Sequence, residues 1–313
     1  MKISISEAKK ICKLYNLGKF QELKPMTGGL VNHNFNLKTS QGRFVIRVLG
    51  DKFDKGKEER VKLEFKVLGF LKKNNFPYKV PEPLANNKSG YISSMNGKTF
   101  WVYSRLEGKS ISKIEEVKTN IIKELANVLA IYHKTIKNLK VKPDNPRRRI
   151  NWICGRLDYI EKIKPGNKVD RITLDNVGYF RSILREAIEK ISTKNILVNH
   201  MDFDASNALF KNGKIVSIID FDNTEVSSRV NDIATSIKDS CFTDHKFDKK
   251  KAALFLNTYE NVNRLSKKEK EIIPYCILEK YCEVFSWYYR GWKKKSPKDM
   301  PLSRKVLMKA EAS

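Results

Sequence analysis

The sequence predicts an α+β chain in two parts, a small N-terminal antiparallel sheet followed by a larger α-rich region. Three observations carry this. Apolar residues alternate at Phe35, Leu37, Phe44, Ile46 and Val48 around a Ser40-Gln41-Gly42 turn, the pattern of a hairpin. Downstream stretches instead repeat apolar residues at three- and four-residue spacing, the period of a helix with one buried face. Asn212-Gly213 stands between two short alternating runs, and a type I′ hairpin turn is the favoured use of that pair.

Taken in order, residues 5 to 16 read as a short helix, followed by the first hairpin. Residues 58 to 73 place Val61, Phe65, Leu68 and Leu71 on one helical stripe. Glu64 borders that stripe, so its carboxylate faces the sheet and needs a cation. Arg47, on the preceding strand, is the candidate; the alternative is that each pairs elsewhere on the surface. Phe100-Trp101-Val102-Tyr103 is an apolar strand running into Ser104-Arg105-Leu106-Glu107-Gly108. Beyond it Leu125, Leu129 and Tyr132 form an apolar helix face with His133 as a packing histidine. Helices are predicted at 173 to 192, 247 to 263, 266 to 280 and 280 to 292, and Pro143-Asp144-Asn145-Pro146 breaks the pattern.

At 313 residues the chain is long enough for two lobes. It has no run of 18 apolar residues, and Met1-Lys2-Ile3-Ser4 begins no signal peptide, so a cytoplasmic protein without a membrane span is expected. Five cysteines without a CxxC pair suit reduced thiols, and four scattered histidines argue against a zinc site. The net charge of +27 could mark nucleic-acid binding, but the excess is mostly Lys spread over nearly every segment. It reads as a solvated surface that also draws anionic ligands, with no specific nucleic-acid partner expected.

The chemistry is concentrated in residues 196 to 222, ILVNHMDFDASNALFKNGKIVSIIDFD. In catalytic loops of the protein-kinase type one Asp accepts the proton of an attacking hydroxyl, while an Asn a few residues on and a later Asp hold metal ions. Asp202, Asn207 and Asp220 have that order and spacing. Closing the Asn212-Gly213 turn pairs Asn207 with Ile218 and makes Asp220 its diagonal neighbour, about 7 Å away. Magnesium takes oxygen ligands at about 2 Å, commonly one or two carboxylates plus phosphate oxygens, so one Asn amide and one Asp suffice. The alternative, a solvated surface hairpin, does not account for all three residues.

His200, Asp202 and Asn207 as HxDxxxxN, followed by Asp220 and Asp222 in IDFD, resemble the superfamily of aminoglycoside phosphotransferases, choline kinases and type II homoserine kinases. The resemblance implies a bilobal protein-kinase-like fold, with residues 1–103 as the nucleotide-binding lobe, 104–108 as hinge and 104–313 as the α-rich catalytic and substrate lobe. It implies ATP and Mg2+ as cofactors, Asp202 as catalytic base and Asn207 and Asp220 as metal ligands. Asp222 either reaches a second metal or organises the loop. Met26-Thr27-Gly28-Gly29-Leu30-Val31-Asn32 resembles the family's phosphate-side loop, where Gly28 and Gly29 let backbone approach phosphates. Arg47 and Glu64 match the ion pair that positions ATP phosphates, with Arg in place of Lys as in choline kinases. The backbone of Ser104 and Leu106 would bind adenine. Arg229-Val230-Asn231-Asp232-Ile233-Ala234 resembles the family's RxxDLA element, with Asp232 in a structural role.

Segments outside the catalytic residues lean toward type II homoserine kinases: residues 80 to 111, and NDIATSIKDSCF with LNTYENVNRLSKKEKEIIP. The implied acceptor is a small molecule with a hydroxyl, a small amino acid or amino alcohol; monomer and homodimer are both compatible. Asp204 stands where the family often has His, which bears on substrate class. Choline or ethanolamine would need an aromatic box, for which Trp152, Trp287, Tyr288 and Trp292 are candidates or else core residues. A substrate carboxylate could be clamped by Arg147, Arg148, Arg149 or Arg156, unless these form a solvated loop. An aminoglycoside would want an acidic pocket. A nucleic-acid-binding protein on a kinase-like fold would have degraded metal residues, and here they are intact.

Overall fold

The computed structural model describes residues 2–26, 31–50, 53–142, 148–166, 168–190, 196–243 and 246–292. Two compact units divide the chain: Met1–Lys109 with Val216–Asp222, and Ser110–Ile215 with Asn223–Ser313.

The first unit opens with α1 (Ile5–Leu14), whose N-terminal amides are satisfied by a reciprocal capping box between Ser4 and Glu7. Strands β1 (Phe20–Pro25), β2 (His33–Thr39), β3 (Gly42–Val48), β4 (Ile92–Met95) and β5 (Lys98–Ser104) form an antiparallel sheet ordered β1-β2-β3-β5-β4. Helix α2 (Lys55–Lys73) starts at Asp54, which caps the Lys57 amide.

Successive strand residues face opposite sides. Phe35, Leu37, Phe44, Ile46, Val48, Phe100 and Val102 pack with Ala8, Ile11 and Cys12 of α1. Val45, Arg47, Trp101 and Tyr103, one residue out of phase, therefore line the other face. There Phe65 of α2 meets Trp101 edge to face with ring centres 5.1 Å apart. The same alternation that fills the α1 core thus places Arg47 on the α2 side. The strip 216–222 joins this unit through Lys79, whose N–H donates to the Val216 carbonyl at 3.0 Å while its own carbonyl accepts from Ile218 at 2.9 Å.

The second unit is mainly helical: α3 (Thr119–Ile136), α4 (Arg148–Glu161), α5 (Lys168–Lys190), α6 (Val230–Ser240), α7 (Lys249–Val262) and α8 (Lys267–Trp292). Between α5 and α6 lie β6 (Ile196–Asn199), β7 (Ala208–Lys211), β8 (Lys214–Ile218) and β9 (Glu225–Ser228). β6 pairs antiparallel with β9, and β7 with β8, while β10 (Phe242–Thr243) and β11 (Lys246–Phe247) form a small ribbon. Asn212 and Gly213 both have positive φ, 52° and 75°, as a type I′ turn requires. Ile153, Leu157 and Ile160 of α4 pack with Val177, Phe180 and Leu184 of α5 and Cys282 of α8, a separate small core.

Two expectations are corrected here. The helices expected at 266 to 280 and 280 to 292 are one helix, α8, which carries Pro274 inside it and crosses position 280 unbroken, with Cys276, Glu279, Lys280 and Cys282 buried on either side of that position. A further helix, α4, follows the Pro143–Pro146 segment, which itself lies outside the described residues. All five cysteines are free thiols.

Candidate active site

In the first unit, Arg47 is nearly fully buried at 3% exposure, and burial of a guanidinium demands carboxylate partners. It finds them on the 216–222 strip. Its Nη2 donates to Asp220 Oδ1 at 2.6 Å and lies 3.0 Å from Asp222 Oδ2. Asp222 Oδ2 also accepts from the Asn32 amide at 2.5 Å. Asp220 has φ 67°, a left-handed backbone that turns the chain sharply after β8.

Glu64 is 1% exposed and on the same side of the sheet, but it forms no ion pair with Arg47. Its Oε1 and the Arg47 Nε have no hydrogen-bond partner. Burial pushes the Glu64 carboxyl up to about 7, with the Arg47 charge acting in the opposite direction. This has a measurable consequence. The protonated form of Glu64 stabilises the fold fully below its unfolded pKa of 4.5, and that contribution is lost as pH rises through about 7. Glu64→Gln should therefore flatten the fall in unfolding midpoint between pH 5 and about 8, raising stability at pH 8 by on the order of 2 kcal/mol. Urea unfolding of both proteins across that range checks it, and parallel curves would remove Glu64 as the source.

Of the other first-unit residues singled out in the sequence, Ser104 ends β5 opposite Phe44 and is exposed, and Leu106 follows it half-buried. Gly28 and Gly29 lie outside the described residues.

In the second unit, β6 leads into the loop of Asp202. Asp202 is half-buried, its Oδ2 accepts from Asn223 Nδ2 at 3.4 Å, and its N–H points at His200 Nδ1 at 3.3 Å. Asn207 Nδ2 donates to the Asp202 carbonyl at 2.7 Å, so the amide nitrogen is engaged by the loop and Oδ1 remains as an oxygen donor. Asp204 accepts from the Ser206 amide and hydroxyl and from the Asn207 amide, a turn that shapes the loop between Asp202 and Asn207. Burial and the Asp239 carboxylate push Asp204 up to about 6.

The residue before Asp202, Met201, has φ 67°, which costs a side-chain-bearing residue on the order of 1 kcal/mol. Asp232 of α6 holds that conformation. Its two carboxylate oxygens accept from the His200 amide at 2.8 Å and the Met201 amide at 2.7 Å. Behind it stands His133 of α3, with Nε2 3.1 Å from Asp232 Oδ2 and Nδ1 2.7 Å from the Tyr259 hydroxyl. Burial alone would raise the Asp232 carboxyl, but the hydrogen bonds and charge of His133 and His200 outweigh it and hold the group below the ordinary range. Asp232 and His133 are thus tied to the Asp202 loop, beyond the packing role read for His133 in the sequence.

The family "Phosphotransferase enzyme family" matches residues 22–264, more than two thirds of the chain. The chain belongs to that family. A homoserine kinase of Polaromonas naphthalenivorans is 24% identical over 316 aligned positions, covering 95% of this chain and 90% of the relative. Among solved structures, a microcompartment-associated aminopropanol kinase superposes with TM-score 0.74 at 12% identity, covering 98% of this chain and 94% of that one. A spectinomycin phosphotransferase solved with ADP and spectinomycin gives TM-score 0.67 at 15% identity, covering 99% and 95%. These likenesses show the protein-kinase-like fold, and the chain is a phosphotransferase enzyme of the phosphotransferase family. No helix among the described residues is long and apolar enough to cross a membrane.

For an enzyme of this family the acceptor side matters, and here the structure departs from the simplest expectations. Arg149, read as a possible carboxylate clamp, has both terminal nitrogens engaged, Nη2 with Glu225 and Nη1 with Glu283, each at 2.6 Å. Trp152 is 39% exposed and its ring face is covered by the Arg156 guanidinium at 4.1 Å. It is therefore not a core residue, and one of its ring faces is already occupied by a cation. Arg147 lies outside the described residues, as do the side chains of Arg148, Trp287, Tyr288 and Trp292. The residue that sequence reasoning missed is Asn32. It stands three residues after Gly29 in sequence, but an Asn near a turn carries no pattern of its own.

Proposed function

We propose that the protein is an ATP- and magnesium-dependent kinase that phosphorylates the hydroxyl of a small amino acid or amino alcohol. The observation that carries the acceptor class is the likeness to a bacterial homoserine kinase over 95% of the chain, which extends well past the catalytic residues. The chemistry rests on the Asp202 loop. The acceptor hydroxyl oxygen attacks the γ-phosphorus, the bond from that phosphorus to the β,γ-bridging oxygen breaks, ADP leaves, and the hydroxyl proton passes to the Asp202 carboxylate. Asn223 on Asp202 Oδ2 orients the carboxylate for that transfer.

Adenine is assigned to the backbone at Ser104 and Leu106, and the phosphates to the backbone at Gly28 and Gly29 and to the Arg47 charge. Magnesium is assigned to Asn207 and Asp220 on their order and spacing in the sequence; each offers the kind of oxygen it takes, Asn207 through the Oδ1 its loop leaves over and Asp220 through a partly exposed carboxylate. When bound, magnesium would neutralise charge on the phosphates. With Arg47 on Asp220 and Glu64 left without a hydrogen-bond partner for Oε1, nucleotide phosphates offer Arg47 a competing anion. That exchange would bring the guanidinium toward Glu64.

An ATP-consumption screen tests the reading: homoserine, threonine, serine, hydroxylysine, choline, ethanolamine, aminosugars and kanamycin-type aminoglycosides. Turnover is expected with a carboxylate-bearing or small amino-alcohol acceptor, dependent on magnesium. Preference for aminoglycosides or choline over all of these would overturn the acceptor class. Absence of turnover together with no thermal shift from ATP and magnesium would overturn the kinase reading itself.

A further inference from the structure

Asn32 is 5% exposed, and a buried amide must satisfy both its donor and its acceptor. It does so across two elements. Nδ2 donates to Asp222 Oδ2 at 2.5 Å, and Oδ1 accepts from the Gly50 N–H at 3.3 Å. A carboxylate only accepts and an N–H only donates, so the amide has one allowed orientation.

Gly50 belongs to the same arrangement. A Cβ there would lie 1.5 Å from the Val31 carbonyl oxygen, so the backbone before β2 and after β3 are in direct contact and no side chain fits between them. The same Asp222 oxygen also faces Arg47 Nη2 at 3.0 Å. One carboxylate oxygen therefore gathers Asn32, three positions after the glycine pair in sequence, and the cation of β3. The Asp222 side chain is 18% exposed where that of Asp220 is 36%.

Resting on the kinase reading above, we infer that Asn32 is a positioning residue for nucleotide binding, and that Asp222 serves as its anchor and not as a metal ligand. The pair fixes the backbone at 31–32 and 50 against the strip that carries Asp220, and so sets where Arg47 stands.

An exchange of donor and acceptor tests this. Asn32→Asp sets two carboxylates against each other and should weaken MgATP binding about tenfold or more. Combining it with Asp222→Asn restores one amide and one carboxylate in reversed order, keeps an acceptor for the Gly50 amide, and should return affinity to within about threefold of wild type. A metal ligand at Asp222 predicts the opposite: Asp222→Asn alone raises the half-saturating magnesium concentration, and the double substitution rescues nothing. Calorimetric titration of MgATP, repeated across magnesium concentrations, gives both quantities, and the urea midpoint of each variant reports folding.

Wild-type affinity in Asn32→Asp, or a folded double variant no tighter than the weaker single one, overturns the inference. Should Asn32→Asp not fold, Asn32→Ala replaces it, with a several-fold loss expected and unchanged affinity overturning the inference. Wild-type protein that binds no MgATP overturns the kinase reading, a result seen before any variant is made.

Discussion

Asp202→Ala should lower kcat about 1,000-fold while changing MgATP affinity by less than about threefold, the expected loss for removing a positioned base that acts only on the acceptor. Local geometry is why the two quantities should separate. Asp202 contributes its carbonyl to Asn207 and its amide to the His200 ring, both backbone contacts that survive truncation at Cβ. The carboxylate itself meets Asn223, which can turn to water. Turnover and calorimetric affinity measured on one preparation decide the matter. A variant within tenfold of wild-type kcat would remove Asp202 from proton transfer, and a matched loss of affinity would move its role to nucleotide binding.

The largest expected stability effect is at Asp232. Its carboxylate has no exposure and serves two loop amides and one imidazole at once. Asp232→Ala leaves the His200 and Met201 amides without acceptors and His133 without its anion, and should cost on the order of 3–5 kcal/mol. Asp232→Asn keeps one acceptor oxygen and should cost less, about half as much. The urea midpoint ranks the two. Equal, small shifts for both would show that the catalytic loop holds its shape without α6. The fold effect should also carry into turnover, because Met201 in its left-handed conformation directly precedes Asp202, the proposed base.

Much of the fold was legible because it is written in short-range periodicity. Phe35, Leu37, Phe44, Ile46 and Val48 alternate, and alternation on a strand has one reading once one face is buried. Asn212-Gly213 could be read because few other residue pairs tolerate two successive positive φ values. The break expected near position 280 failed for a related reason: helix ends are weakly encoded, and α8 keeps its buried stripe across Cys276, Glu279, Lys280 and Cys282. Helix α4 escaped notice because its apolar stripe of Ile150, Ile153, Leu157 and Ile160 sits directly behind a proline-rich break.

Pairings between distant residues were less accessible. The sequence could say that Glu64 needed a cation, but not that Arg47 would meet Asp220 and Asp222 instead. Likewise the arginine run at 147–149 reads as a clamp or a solvated loop. Arg149 is neither, since Glu225 lies 76 residues away and Glu283 134 away, separations that no local pattern signals. The identities of the charged groups were visible, and their partners were set by packing.

The strip at 216–222 has a consequence for how the protein is made. The first unit is discontinuous: Lys79 keeps an unmatched backbone donor and acceptor until Val216 and Ile218 emerge. At about 5–20 residues per second of synthesis, the 106 residues from Ser110 to Ile215 impose a wait of order 5–20 s on the ribosome. During that interval the sheet of β1 to β5 exists with Arg47 buried against no carboxylate from the strip. The nascent N-terminal segment should therefore remain protease-sensitive, maturing abruptly when residue 222 clears the exit tunnel rather than when its own last strand does.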